Sequence, residues 1–240
     1  MADFDFYFKR SIFLFELTAF IIGLICYGTY KTTPNKIIIY FLVITLLNEI
    51  IGLIPIIVWK FPESSIAGFL EAHLPDILVR NNIWIASIHS ILSFYIFLIY
   101  FRELSKRENS RLRMFNWLLV IYTVSVVYDL IHYKTLYIKL GDTHRIVGAL
   151  CSLIAALLYM KIMLKSDRII MFYKQLSFWI MVGIIFFNLV TMPIFIFADQ
   201  LGFSGPVYNY VLVFSCYIMY GCFIVGFIVH ARQWHPPPVQ

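Results

Sequence analysis

The stretch "IIIYFLVITLLNEIIGLIPIIVW", residues 37–59, runs 23 residues with a single charged side chain, Glu49. A bilayer core of roughly 30 Å is crossed by about 20 mostly apolar residues in a helix, and this run has that length and that composition. Six more segments do so too, at about 11–30, 81–101, 114–133, 145–164, 176–198 and 206–231; with 36–59 they predict a seven-helix, all-α membrane domain occupying 1–240. Composition agrees, because 61% hydrophobic residues with only 13% charged cannot supply the polar surface of a soluble domain of 240 residues. Trp59, Trp84, Trp117 and Trp179 each fall near an end of a segment, and Trp234 follows the last. Indole favours the headgroup region, where its ring is half buried and its N–H stays wet.

Lys and Arg set the expected orientation. With the N-terminus outside, 12 basic residues fall on the inner side and 7 on the outer, which favours an N-out, C-in arrangement. Lys9 and Arg10, directly before the first segment, argue the other way. The net charge of +6 therefore calls for no nucleic acid. The cluster "RELSKRENSRLR" (102–113) reads as a topology signal beside anionic lipid, with docking of a cytoplasmic signalling partner as the alternative. All four cysteines lie inside the segments, so neither a disulfide framework nor a metal site is expected, and no cofactor. Segment 11–30 lacks a small-x-small cleavage site and reads as a retained helix. The connection "KFPESSIAGFLEAHLPDILVR" (60–80) is too polar to span; Ile66, Phe69, Leu70 and Leu74 at helical spacing predict a short interfacial helix at about 64–74. Ser64 or Ser65 is its candidate N-cap and Pro75 its stop, and it is expected to lie over the mouth of a cavity. No sequence repeat relates the first and last three segments, and the three prolines of the tail "ARQWHPPPVQ" end the last helix.

Ionisable groups inside membrane helices are costly and face a bundle interior or a water-filled cavity. Here they gather in the outer half: Glu16, Glu49, His89, Asp129, Arg145 and, among the amides, Asn48 and Asn188. Spacing of i, i+3, i+4 puts Thr45, Asn48, Glu49 and Gly52 on one face, and Asn82, Ala86, His89, Ser90 and Ser93 on another. Tyr122, Ser125, Asp129 and His132 form a third such face. Three polar inner faces predict an outward-opening cavity with Glu49, His89, Asn48, Asp129, Glu16, Arg145 and Asn188 as ligand-binding candidates. Small polar residues also serve as helix-packing groups, and Asp129 could simply pair with His132 or Arg145.

Sharper motifs fail. The last segment has no lysine for a retinal Schiff base and no Asn-Pro-x-x-Tyr pattern. "GFSG" (202–205) matches the letters of the rhomboid nucleophile motif, but the only later histidines, His230 and His235, lie near the opposite side. The histidines are scattered rather than clustered at one depth, as a zinc hydrolase would need. The acidic residue after Asn in the second segment, the run "NNIWIASIHSILSFYIFLIYFREL" (81–104) and "LSFWIMVGIIFF" (176–187), with Phe178, Trp179 and Gly183, resemble a group of small bacterial seven-span proteins. That group often has a glutamate in its third span, where this chain has Ser90 or Ser93. The resemblance implies the architecture and a multi-pass place in a bacterial plasma membrane, and brings no activity with it. The expectation is a receptor-like sensor for a small ligand. A proton, cation or solute transporter using Glu49 is the alternative, and a lipid-acting intramembrane enzyme using Glu49 and His89 comes third. A closed apolar inner half favours the sensor, and a polar path below Glu49 favours transport.

Overall fold

A computed structural model describes residues 2–107, 112–132, 143–165, 169–201 and 206–233. Part of the basic cluster at 102–113, the "GFSG" stretch and the proline-rich tail lie outside those residues. The helices are α1 (Ala2–Ile25), α2 (Tyr27–Tyr30), α3 (Ile37–Ile51), α4 (Ile54–Lys60), α5 (Ser65–His73), α6 (Asp76–Arg80), α7 (Ile83–Arg107), α8 (Arg113–His132), α9 (Thr143–Lys165), α10 (Leu176–Leu201) and α11 (Pro206–Gln233). With every backbone bond made inside the segment, the helix is one of the two folds that hydrocarbon tolerates. Among the described residues six helical spans are long and apolar enough to cross a membrane: Pro34–Lys60, Ile83–Arg107, Arg113–His132, Thr143–Lys165, Leu176–Ile194 and Tyr210–Gln233. The expected first segment is a shorter apolar helix, Ser11–Ile25, followed by the separate turn α2.

The second segment, expected at 36–59, falls within one span, Pro34–Lys60, that is interrupted at Gly52 and Leu53. α3 ends at Ile51 because Pro55 has no N–H to give to the Ile51 carbonyl four residues back. Gly52 closes the turn instead, its N–H donating to the Asn48 carbonyl at 2.8 Å. Asn48 and Glu49 thus stand in the last turn of α3, beside a break. α7 runs six residues past its expected end, carried by the Glu103 carboxylate between Arg102 (2.7 Å) and Lys106 (4.0 Å). Arg102 Nε also donates to Asn116 on α8 at 2.8 Å, so this arginine of the basic cluster has a structural task.

In the 60–80 connection, Ser64 accepts the Ala67 N–H at 3.1 Å and starts α5. After Pro75 the chain turns into a second short helix, α6. α5 and α6 pack on α4 and on each other, and none of the described side chains of 60–80 lines the cavity described below.

The long helices close into a ring in the order α1, α3, α7, α9, α10, α11, with α11 returning to α1 and α8 packed outside against α7 and α9. Inside lie Phe41, Leu42, Phe97, Phe101, Phe223 and Phe227, all buried. Phe41 is the hub, its ring centroid 4.8 Å from Phe97 and 6.2 Å from Phe223. The outer surface carries Ile25 at 78% exposure, Ile131 at 69% and Val124 at 63%. Apolar patches on this scale are not left in water; the protein is an all-helical membrane protein with its apolar surface turned to lipid.

One close approach sets the geometry of the site. A Cβ on Gly148 of α9 would lie 2.6 Å from the Phe94 ring of α7 and 2.9 Å from Tyr122 of α8. Only a residue without a side chain lets these three helices meet. Gly148→Val should therefore lower stability in mild detergent by about 1–3 kcal/mol, the usual cost of overpacking a core; denaturant unfolding followed by circular dichroism checks this, and an unchanged midpoint would show that the contact yields freely.

Candidate functional site

Between α1, α3, α7, α9, α10 and α11 lies a half-open cavity of about 300 Å³. Its polar lining is Glu16 from α1, Asn48 and Glu49 from α3, His89 and Ser90 from α7, and Arg145 from α9. Its apolar wall includes Phe41, Phe94, Phe97, Phe187 and Met219. Five of the seven candidates from the sequence thus stand around one space: Glu49, His89, Asn48, Glu16 and Arg145.

These groups are linked across helices. Tyr220 of α11 lines the same space. Thr45 Oγ1 is 3.1 Å from His89 Nε2, and it also donates to the Phe41 carbonyl one turn back. Ser93 Oγ follows, 3.4 Å from the same His89 nitrogen and donating to the His89 carbonyl at 2.7 Å. A polar link therefore joins α3 to α7. Two buried lining atoms stand apart from it: Glu16 Oε2 and Asn48 Oδ1 have no hydrogen-bond partner, and Glu16 as a whole is 4% exposed. Both are acceptors. A buried acceptor left without a donor costs about 1–3 kcal/mol, and no protein donor meets either oxygen, which leaves both to water or to a ligand in the cavity.

Asp129 and Asn188 stand elsewhere. Asn188 is fully buried in α10 and donates to the Ile184 carbonyl at 2.9 Å; Thr191 Oγ1 does the same to Phe187 at 2.8 Å, one turn before Pro193. Asp129 has a partner that its own helix's spacing did not name, His144. Its Oδ2 accepts the backbone N–H of His144 at 2.8 Å and faces His144 Nδ1 at 2.7 Å, with both side chains at most 1% exposed. Asp129 thereby satisfies one of the free N–H groups in the first turn of α9. His132 instead stacks on Tyr128, its ring centroid 4.2 Å away.

His144 was legible only as one of several scattered histidines. A signal existed: His144, Gly148, Ser152 and Ala155 or Ala156 recur at i, i+4 spacing, a small-residue face on which a histidine must sit inside the bundle. Its Nε2 reaches across to Ser90 Oγ at 3.4 Å. Among the described residues no group of three or more His, Cys, Asp or Glu side chains is arranged to hold a metal ion.

No protein-family model, curated protein or solved structure matches the chain. Fold and site define it as an all-helical membrane protein with a half-open cavity that combines an aromatic wall with buried, partly unpartnered acceptors.

Breaking the Asp129–His144 pair from one side should be expensive, because the partner is left buried and unmatched. Asp129→Ala is expected to lose about 3 kcal/mol of stability. Glu49→Gln, in a half-open site, should change it little. Parallel unfolding curves of the two variants check this, and equal midpoints would remove the structural role given to Asp129.

Proposed function

We propose that the protein is a receptor-like sensor of a bacterial inner membrane, a seven-span bundle with its N-terminus outside and its C-terminus inside. It binds a small molecule in the cavity around Glu16, Asn48 and Glu49 and passes the signal to a cytoplasmic partner at 102–113. The observation that carries the reading is the pair of buried, unpartnered acceptors, Glu16 Oε2 and Asn48 Oδ1, on the wall of an otherwise aromatic cavity. A ligand that completes it donates hydrogen bonds at one end and is apolar at the other, as an amine on a short hydrocarbon body does. Two carboxyl groups on one cavity wall, Glu16 and Glu49, favour a cationic donor over a neutral one.

Sensing is favoured over transport by what lies on the far side of the cavity. Below Thr45, His89 and Tyr220 the helices turn Leu42, Phe97, Phe101, Phe223 and Phe227 inward, all buried and apolar. A second, polar hollow of about 380 Å³ near Asn35, Arg107 and His230 lies at the other end of those helices, beyond that apolar layer. A conduit for protons or cations would need polar groups where these rings stand.

Amines themselves are the probe. Hexylamine and octylamine should raise the melting temperature of the purified protein, whereas hexanol and octanol at equal concentration should not. Glu16→Gln and Glu49→Gln should abolish the difference while remaining folded, since they keep volume and remove charge. An equal response to amines and alcohols in all three proteins would remove the carboxylates from recognition. Orientation is tested separately. Cysteines placed by Ser110→Cys and Gln240→Cys should resist a membrane-impermeant maleimide in intact cells and react once the cells are opened; labelling of both from outside contradicts the N-out arrangement.

A further inference from the structure

Beside the acceptors of the cavity stands a second constellation that ligand binding does not use. Asp129 Oδ2 lies 2.7 Å from His144 Nδ1, and His144 Nε2 lies 3.4 Å from Ser90 Oγ. Three helices contribute one residue each: α8 the carboxylate, α9 the imidazole, α7 the hydroxyl. His144 is fully buried and Asp129 1% exposed, while Ser90 lines the cavity. We propose that Ser90, His144 and Asp129 are a nucleophile, base and orienting acid that hydrolyse a carboxylic ester whose apolar acyl part lies in the cavity.

The order of contacts is what this chemistry needs. The carboxylate on Nδ1 holds the ring proton on that nitrogen, leaving the Nε2 lone pair directed at the serine hydroxyl. Asp129 is locked in turn by the His144 backbone N–H, so the imidazole is oriented from two sides. Gly148, one turn along α9, admits the Phe94 ring one turn along α7 from Ser90; the close approach there is what brings His144 within reach of Ser90. A separation of 3.4 Å is long for a hydrogen bond, and such contacts tighten when substrate is bound. Arg145, next to His144, lines the same cavity and places a positive charge on the side where an oxyanion would develop. Helix capping accounts for the Asp129 contact to the His144 N–H, but not for a base pointed at a hydroxyl on the cavity wall.

The step balances with water as the only co-reactant. Ser90 Oγ attacks the ester carbonyl carbon and its proton passes to His144 Nε2; Asp129 stabilises the imidazolium. Collapse breaks the carbon–oxygen bond to the alcohol, which leaves with the proton from His144, and Ser90 holds the acyl group. Water then gives a proton to His144 and attacks the acyl carbon. The acid departs, and Ser90 regains its proton. Nothing is oxidised or reduced, and the cavity is cleared of its occupant.

The test uses the full chain in nanodiscs with an alkyl fluorophosphonate, which phosphonylates activated serines, and p-nitrophenyl butyrate as the ester. Wild-type protein is expected to carry the adduct on Ser90 by peptide mass spectrometry and to release nitrophenol. Ser90→Ala should abolish both, and His144→Gln should slow both at least a hundredfold. Ser177→Ala, at the other end of the bundle, should leave both intact. Because His144→Gln could disturb packing, the deciding measurements are the mapped adduct and the activity of Ser90→Ala, a small change. A folded wild type without an adduct on Ser90, or with hydrolysis unaltered in Ser90→Ala, overturns the proposal. The amine response of the wild type separates this outcome from the binding reading: if it persists while no adduct forms on Ser90, only the hydrolytic role is lost.

Discussion

Burying a carboxylate in the middle of a bilayer costs about 2.5–3.5 kcal/mol on insertion scales, and this constraint settles how the helices of this protein face one another. Glu16, Glu49 and Asp129 sit on three helices, and each is turned away from lipid. Rotating α3 by half a turn would carry Glu49 outward and expose the face that holds Phe41 and Leu42 at the core. Rotating α8 would strip the first turn of α9 of its acceptor. The apolar residues leave many rotations equally good, because a leucine against lipid is worth about as much as a leucine against a helix. The acids and their partners select among them. Polar groups specify this bundle, and the small residues, Gly148 above all, let the helices come close enough for those groups to meet.

How much of this was legible in the sequence follows from the same division. The all-helical membrane class rests on run length and composition, and these are local properties. Polar faces on α3 and α7 were legible too, because helical spacing fixes which residues share a side; Glu49, Asn48 and His89 do line one cavity with Glu16 and Arg145. Three things were not. The break at Gly52 and Leu53 arises from Pro55, whose missing N–H acts four residues back and leaves no mark on a hydropathy profile. The partner of Asp129 is set by how α9 docks on α8, and spacing along one helix cannot rank His144 against His132 or Arg145. The tyrosine that shares the cavity wall with Glu16 comes from α11, far along the chain, and nothing local in that helix marks Tyr220 among its several tyrosines.

The cavity brings together an aromatic wall, two acidic groups and acceptors that no protein donor satisfies. Polar groups on its near side and a buried aromatic layer on its far side support the proposed reading, in which a ligand arrives and leaves by the same route. On this account the bundle reports occupancy and does not conduct. Ser90 and its two partners add a means of ending that occupancy.

The central claim is that a small molecule completes the acceptors of Glu16 and Asn48. An experimental structure of the protein purified from its own membrane into nanodiscs tests it most directly, at a resolution that separates ligand from lipid. The account predicts compact non-protein density inside the aromatic wall, with a hydrogen-bond donor against Glu16 Oε2 and Asn48 Oδ1. A cavity collapsed onto its own side chains, with Glu16 paired inside the protein, or one filled by a lipid tail lying clear of both acceptors, would contradict it.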